Sequence, residues 1–328
     1  MVLTLLVLAC AGWLGVYAFT PGPERQEPER LVQIPANLPF PAIQEILVDS
    51  GVIRPDRRFS LLARLMFVTT SLRAGEYSFP VPVPPYRVLQ DLYRGSKLQH
   101  PLTIPEGSNL KQIAAILARG DWTSEPAFLA AANDPDFIRE LGLTVPNLEG
   151  YLFPETYLFE RGNRDPHPII RAMVEQTEKV LAETGADKGL PQYGLDAHGV
   201  LTLASIVEKE TALGLERPLI ARVFLNRLQC GMRLQTDPTV IYGLSDFDGN
   251  LTRKDLRTPT PYNTYLVAGL PPGPIASPGL AAIQAVMKPA EGDYYYFVSK
   301  NDGSHYFSKT LSEHNRAVNR YQKQRRSR

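Results

Sequence analysis

The stretch that decides the fold covers residues 200–211 and reads VLTLASIVEKET. An α-helix turns by about 100° per residue, and on this period Leu203 and Ile206 lie on one apolar stripe. Glu210 falls in the middle of that stripe, whereas Glu208 points nearly the opposite way. The pattern therefore predicts a helix on which the two glutamates cannot act as a cooperating pair of carboxylates.

The position of Glu210 suggests a chemical role. We place Ser205 with Glu208 on the polar side of the helix, opposite the apolar stripe. A carboxyl on an apolar face loses the hydration of its charged form, so we expect the pKa of Glu210 to be raised. A carboxyl that is partly protonated near neutral pH can serve as a general acid. The residues alone favour equally a second interpretation, in which an interior hydrogen bond, Arg222 or Arg227 satisfies Glu210.

Polar and proline-rich segments follow this helix. A new helix opens at Thr236 or Asp237, with Pro238 in its first turn, and we interpret Asp237 as its N-cap. Two loops come next, TPTPYNTY at 258–265 and GLPPGPIASPG at 269–279. They combine a rigid backbone with amide, hydroxyl and aromatic groups, which suits sugar recognition. Well-ordered turns without a ligand are the equally weighted alternative.

Residues 2–19 carry no charge, over a length at the short end of that needed to span a bilayer. We predict an uncleaved anchor there, with a cleaved signal peptide and a lipoprotein leader ending at Cys10 as alternatives. The missing basic residue before this run suggests a mis-assigned start or a truncated leader. The predicted segments are a transmembrane anchor (1–20), a juxtamembrane linker (21–30), a small α+β module (31–98), a connecting strand and helices (99–146), a larger mixed α/β domain rich in helices (147–322) and a basic tail (323–328).

Composition excludes several classes of function. The 35 basic and 34 acidic residues give a net charge of +1, which argues against nucleic-acid binding. Two cysteines exclude a disulfide framework and a thiolate zinc site. The five histidines lack metal-ligand spacing, so we predict neither a metal nor a cofactor. The hydrophobic fraction of 44% is ordinary for a globular protein, and the order of the predicted strands and helices gives an α+β fold.

Several motifs occur together in one order along the chain. They are IPEG (104–107), EGYLFPETY (149–157), ASIVEKET (204–211), NRL (226–228), GMRLQTDPTVIYG (231–243), YNTY (262–265), GLPPGPIASPG (269–279) and HN (314–315). In this combination the chain resembles the YceG-like family of endolytic murein transglycosylases over residues 31–320. The resemblance implies a single-pass protein of the inner membrane, with a LysM-like subdomain at 31–98 and a catalytic domain in the periplasm. It further implies peptidoglycan strands, the inner membrane and peptidoglycan synthases as partners.

The resemblance also implies a mechanism. The second glutamate of the EKET motif is the catalytic acid of the family, and it matches Glu210. It would protonate the oxygen between N-acetylmuramic acid and N-acetylglucosamine, then help the muramic C6 hydroxyl attack, leaving a 1,6-anhydro end. One carboxylate suffices because the substrate supplies the nucleophile, whereas hydrolases ordinarily need two. Further candidates for holding sugar or supporting Glu210 are Gln235, Thr236, Asp237, Asn263 and Tyr265.

Three other functions are weighed against this one. A hydrolytic muramidase would use Asp237 to position water. A non-catalytic scaffold would bind peptidoglycan for the synthases that build the wall. An aminodeoxychorismate lyase, a label that members of the family have carried, is disfavoured because the chain has no phosphate-cradling glycine loop.

Overall fold

The computed structural model describes residues 2–24 and 27–323. The chain divides into two compact units, Met1–Leu102 with Leu158–Arg164 and Thr103–Tyr157 with Asp165–Arg328. Helices predominate, and the strands form small two-stranded sheets. The predicted mixed α/β class, rich in helices, is therefore confirmed. The predicted basic tail at 323–328 lies outside the described residues except for Lys323.

The first unit surrounds one antiparallel strand pair. Its elements are α1 (Val2–Phe19), β1 (Glu29–Ile34), α2 (Phe40–Asp49), α3 (Arg57–Leu65), β2 (Gly75–Pro80) and α4 (Pro85–Arg94). In the pair, Val32 of β1 lies opposite Tyr77 of β2, and both are buried in a core with Phe59 and Leu92. Gly95 ends α4 in the left-handed conformation, which a glycine adopts without steric cost.

The last turns of α1 belong to this core. Leu14, Tyr17 and Ala18 are buried in the same cluster, and the Arg58 guanidinium lies 4.5 Å from the centroid of the Tyr17 ring. Within the described part of the chain, no helix is both long and apolar enough to cross a bilayer. The membrane helix predicted over 1–20 is therefore not supported.

The proline-rich stretch 21–30, predicted as a spacer, is tied to the first unit at both ends. The Gly22 N–H donates to the Val83 carbonyl at 3.0 Å. A Cβ at Gly22 would lie 2.8 Å from the carbonyl oxygen of Val52, so this backbone approach requires a glycine. At the other end, strand β1 already begins at Glu29.

The second unit is largely helical. Strands β3 (Gln99–Thr103) and β4 (Thr156–Glu160) pair with each other. The boundary between the two units falls inside each of these strands, after Leu102 in β3 and after Tyr157 in β4. The remaining elements are α5 (Leu110–Arg119), α6 (Glu125–Ala132), α7 (Pro135–Glu140), α8 (His167–Thr184), α9 (Ala197–Glu210), α10 (Arg217–Gln229), α11 (Asp237–Gly243), α12 (Leu280–Met287), β5 (Tyr296–Ser299), β6 (His305–Ser308) and α13 (Leu311–Val318).

Helix α9 is the centre of this unit. Its residues 199–207 are all buried, and it packs against α10, α11 and α12. Asp196 caps the helix by accepting a hydrogen bond from the Gly199 N–H at 2.8 Å. The helix ends at Glu210, because Thr211 is extended. Glu210 therefore stands at the end of a helix held rigidly by its neighbours.

Ser205 corrects the predicted polar side of α9. Its side chain is fully buried, and its hydroxyl accepts a hydrogen bond from the Ile275 N–H at 3.0 Å. Glu208, on the same side, accepts from the Gly279 N–H at 3.1 Å. The loop 269–279 thus covers the face that helical periodicity assigned to solvent, and helical periodicity cannot reveal a distant loop packing there.

Two helix starts lie close to the site. Asn109 caps α5, because its side chain and that of Gln112 bond reciprocally to each other's backbone N–H, at 2.9 and 3.0 Å. Thr236, not Asp237, occupies the N-cap position of α11, and Asp237 is the first helical residue. The Thr236 side chain makes no capping bond, since its hydroxyl has another partner in the site described next.

Candidate active site

Glu210 lies half-buried at the end of α9, and the Thr236 hydroxyl donates a hydrogen bond to its Oε1. Burial raises the pKa of Glu210 to about 7, and the negative charge of Asp237 acts in the same direction. The Thr236 hydrogen bond and the positive charges of His305 and Arg227 oppose this rise. A large share of the carboxyl is therefore protonated at neutral pH, as a general acid requires.

The two arginines considered as partners of Glu210 bond to other groups. Arg222 donates to the Tyr193 hydroxyl at 2.8 Å and to a backbone carbonyl. Arg227, buried beneath the site, donates to the carbonyls of Tyr295 and Leu234, each at 2.7 Å. Arg227 acts on Glu210 through its charge. The hydrogen bond that the Glu210 carboxyl accepts comes from the neutral hydroxyl of Thr236.

Three buried threonines hold the loop that delivers Thr236. Its N–H donates to the Thr264 hydroxyl at 3.1 Å, and its carbonyl accepts from the Thr239 hydroxyl at 2.8 Å. The hydroxyls of Thr239 and Thr264 are themselves 2.8 Å apart. We did not single out Thr239 or Thr264 from the sequence, although both lie within quoted motifs. The neutral hydroxyls of Thr239 and Thr264 thus hold the backbone of Thr236, whose own hydroxyl reaches Glu210.

Asp237 and Tyr265, both predicted site residues, lie together. The Tyr265 hydroxyl donates to Asp237 Oδ1 at 2.6 Å. Burial, and next the bond to Asp237, raises the pKa of Tyr265 well above its ordinary value, so the hydroxyl keeps its proton. Asp237 itself is exposed and lies near enough to Glu210 for its charge to act on that carboxyl.

The other two predicted residues have different surroundings. Asn263 is fully buried, and its amide donates to the Thr258 carbonyl at 2.8 Å while its side-chain oxygen accepts from the Tyr265 N–H at 3.0 Å. These bonds shape the YNTY loop from within, and a sugar contact by Asn263 stays a prediction. Gln235 is exposed in the left-handed conformation, with φ of 52°, immediately before Thr236.

Glu208 and Glu210 bond to different elements, as the helical period indicated. Glu208 forms an ion pair with Arg217 at 2.9 Å and accepts from the Gly279 N–H, whereas Glu210 faces Thr236. Glu208 therefore fastens a covering loop to α9.

A cavity of about 660 Å³ lies beside α9 and α11 in the second unit. Its lining combines amide side chains, two lysines, one acid and several apolar groups. The residues are Gly107, Asn109, Leu110, Lys111, Gln112, Leu129, Asn133, Asn147, Glu149, Lys209, Pro238, Ile241, Tyr242, Leu244, Phe247 and Ile275.

Glu149 is the buried acid of this cavity, and the sequence interpretation missed it. Its carboxylate oxygens accept from the Leu110 N–H at 3.2 Å, and Oε2 accepts from the Tyr242 hydroxyl at 3.1 Å. Burial raises the pKa of Glu149 to about 7, although these bonds lower it in part. Glu149 lies in the EGYLFPETY loop, where no helical period distinguishes a buried side chain from an exposed one.

Within the residues that the structure describes, no cluster of three or more histidine, cysteine and acidic side chains is arranged to hold a metal ion. His305 instead pairs with Glu216 at 2.6 Å, and His198 bonds to the Tyr151 hydroxyl at 2.7 Å. Both histidines thus have hydrogen-bond partners within the second unit.

Comparison with known proteins gives consistent matches over most of the chain. The model of the YceG-like family matches residues 32–320. The endolytic murein transglycosylase of Bacillus subtilis (strain 168) is 34% identical over 305 residues, which cover 88% of this chain and 84% of that protein. The endolytic murein transglycosylase of Streptococcus pneumoniae serotype 2 (strain D39) is 32% identical over 319 residues, covering 84% of this chain and 56% of that protein. A crystal structure of a yceG-like protein from Listeria monocytogenes superposes with a TM-score of 0.61 at 37% identity, covering 88% of this chain and 98% of that one.

Proposed function

The chain belongs to the YceG-like family, and from this membership we propose that it is an endolytic murein transglycosylase, which cleaves peptidoglycan glycan strands internally. The observation that carries the proposal is the Glu210 carboxyl, partly buried at the end of α9, with a pKa raised to about 7 and a hydrogen bond from Thr236. Such a carboxyl can give up a proton and take one back near neutral pH.

We propose that Glu210 acts first as acid and then as base. It donates its proton to the glycosidic oxygen between N-acetylmuramic acid and N-acetylglucosamine as the bond to the anomeric carbon breaks. The Thr236 hydroxyl then stabilises the carboxylate that remains. The carboxylate next accepts the proton of the muramic C6 hydroxyl as its oxygen attacks the same anomeric carbon. This step closes the 1,6-anhydro ring, restores the acid and consumes no water.

Asp237 is the reason to keep a hydrolytic muramidase as the second candidate. Its charge acts on Glu210, and it is exposed, so a water molecule could approach it. However, one of its oxygens accepts the hydroxyl of Tyr265 at 2.6 Å. We therefore assign Asp237 an electrostatic effect on Glu210 and leave the nucleophile to the substrate.

Product analysis tests the proposal. Purified protein is incubated with uncrosslinked glycan strands, and the products are identified by mass spectrometry. We expect internal cleavage with 1,6-anhydro-muramic ends, and loss of cleavage in Glu210→Gln, which keeps the shape of the side chain without its acid. Reducing muramic ends would instead support the muramidase. Unchanged cleavage by Glu210→Gln would refute the role of Glu210 and favour a binding scaffold.

The place of action follows from the substrate. We propose that the second unit works outside the cytoplasm, where glycan strands are polymerised, and that the first unit is a LysM-like module. Contacts with the inner membrane and with peptidoglycan synthases stay predictions. Fractionation of cells and cross-linking of the full chain in growing cells would test them.

A further inference from the structure

The cavity beside α9 adjoins both elements that bring Thr236 to Glu210. Lys209, which precedes Glu210 at the end of α9, and Pro238, in the first turn of α11, are part of its lining. Consecutive side chains of a helix point about 100° apart, so those of Lys209 and Glu210 leave the last turn of α9 in different directions. The cavity lining is thus one residue from Glu210 and two residues from Thr236 along the chain.

The charged groups of the cavity favour a negatively charged ligand. Lys111 and Lys209 lie in the lining, and the Lys209 ammonium donates to the Gly107 carbonyl at 3.0 Å, which takes one of its three donors. The acid of the lining, Glu149, is 4% exposed, and it accepts hydrogen bonds from Leu110 and Tyr242. Glu149 is thus committed to the protein, and the two lysines determine the charge that a ligand meets.

The uncharged lining suits a peptide. Amide side chains of Asn109, Gln112, Asn133 and Asn147 alternate in it with apolar side chains such as Phe247. Asn109, Gln112 and Asn147 use their side-chain oxygens, and Asn133 its amide nitrogen, for bonds within the protein. The opposite end of each amide can bond to the N–H or C=O groups of a peptide, and the apolar groups can pack against its short side chains. A volume of about 660 Å³ lies within the usual range for ligand pockets of roughly 300–1,000 Å³.

We infer that this cavity, which we term the peptide subsite, holds the stem peptide of a muramic residue near the scissile bond, with Lys111 and Lys209 facing its carboxylates. The inference rests on the proposed function, because the stem peptide arrives attached to the glycan strand. It adds to that function a recognition of strands that still carry their peptides.

The test compares two forms of one substrate. Uncrosslinked glycan strands with intact stem peptides are split into two portions, and an amidase removes the peptides from one. Values of kcat/KM are measured on both for the wild type, Lys111→Gln, Lys111→Arg and Lys179→Gln. Lys111 is replaced, and Lys209 is kept, because Lys209 also donates a hydrogen bond to the Gly107 carbonyl. Lys179 is a matched control, since it is an exposed lysine of the second unit outside the cavity lining.

We expect the wild type to prefer peptide-bearing strands by about fivefold or more, in the range of one or two charge contacts. Lys111→Gln should lower this ratio toward one, Lys111→Arg should keep most of it, and Lys179→Gln should leave it unchanged. Added salt should lower the wild-type ratio, because it screens the charges.

Several outcomes would overturn the inference. A wild-type ratio near one, with both substrates cleaved in a Glu210-dependent manner, would remove the peptide subsite and leave the proposed function intact. Equal losses on both substrates in Lys111→Gln would make Lys111 a contact to the sugar strand, and an equal effect of Lys179→Gln would make the preference a property of overall charge. Failure to cleave either substrate would instead refute the proposed function.

Discussion

Replacing Thr236 by valine removes the hydrogen bond to Glu210 and keeps the shape of the side chain. The backbone bonds of residue 236 to Thr264 and Thr239 do not involve its hydroxyl, so the loop should keep its position. The hydroxyl stabilises the charged carboxylate and thereby lowers the pKa of Glu210, which burial has raised to about 7. Its loss must therefore raise that pKa further.

The size of the shift follows from the energy of the lost bond. A hydrogen bond to a charged group contributes about 1.5–3 kcal/mol, and one pKa unit corresponds to 1.36 kcal/mol. Because Glu210 is half-buried and water can replace part of the bond, we expect a rise of about one unit. A general acid is active while protonated, so the fall of kcat at alkaline pH should move upward by about one unit in Thr236→Val.

The assay is the pH dependence of kcat for strand cleavage, with Thr177→Val as control. Thr177 is a buried threonine of α8 whose hydroxyl donates to the Tyr151 carbonyl at 2.7 Å, so its replacement removes a comparable bond elsewhere in the unit. The control should alter stability and leave the pH profile in place. A downward shift in Thr236→Val, or an equal loss of kcat at every pH, would refute the role assigned to the hydroxyl.

Three further predictions use other residues of the second unit. Asp237→Asn removes a like charge near the general acid, so the alkaline fall of kcat should move to lower pH by about half a unit; an upward shift would contradict the electrostatic role. Burial raises the pKa of Glu149 from 4.5 to about 7, so the folded wild type loses stability as the pH rises between those values. In urea unfolding, the free energy of unfolding of Glu149→Gln should rise by up to about 2–3 kcal/mol relative to wild type between pH 4.5 and 7. A difference that stays constant over this pH range would refute the prediction. Gly150→Ala should lower the stability by about 3 kcal/mol, because a Cβ there would lie 2.3 Å from Pro274 at a φ of +80°. Gly142 has nearly the same φ, +79°, but a Cβ there would meet nothing within 4 Å, so Gly142→Ala should lower the stability by about 1 kcal/mol. Equal losses of stability in the two variants would show that the contact with Pro274 is unimportant.

Local sequence patterns predicted the helix at 200–211, which the structure confirms to Glu210, whereas the catalytic role of Glu210 stays a prediction. The period of residues 200–211 placed Glu210 on the apolar stripe, and its side chain is half-buried in the structure. The failures have a common physical cause. Ser205 is buried by a loop about 70 residues away, and Glu149 bonds to Tyr242, 93 residues away. Neither contact leaves a periodic signal at either position.

The end of the apolar N-terminal run illustrates the same limit. Leu14, Tyr17 and Ala18 have the composition of a membrane segment, yet they are buried in the core of the first unit. Hydropathy measures the tendency of a side chain to leave water, and it does not distinguish a lipid environment from a protein one. In the structure these residues have protein partners such as Arg58, which lies against the Tyr17 ring.

Glu149 and Glu210 show why a raised pKa alone does not identify a catalyst. Both carboxyls lie in the second unit, and burial raises the pKa of each to about 7. Glu149 is almost fully enclosed, and its oxygens accept from the start of α5 and from Tyr242, so proton exchange with a substrate would require breaking the structure around it. Glu210 stands at a helix end, half-buried, with a hydroxyl on one oxygen. Burial thus raises the pKa of both carboxyls, and we propose that the greater exposure of Glu210 leaves it free for proton transfer, whereas the protein holds Glu149 by hydrogen bonds.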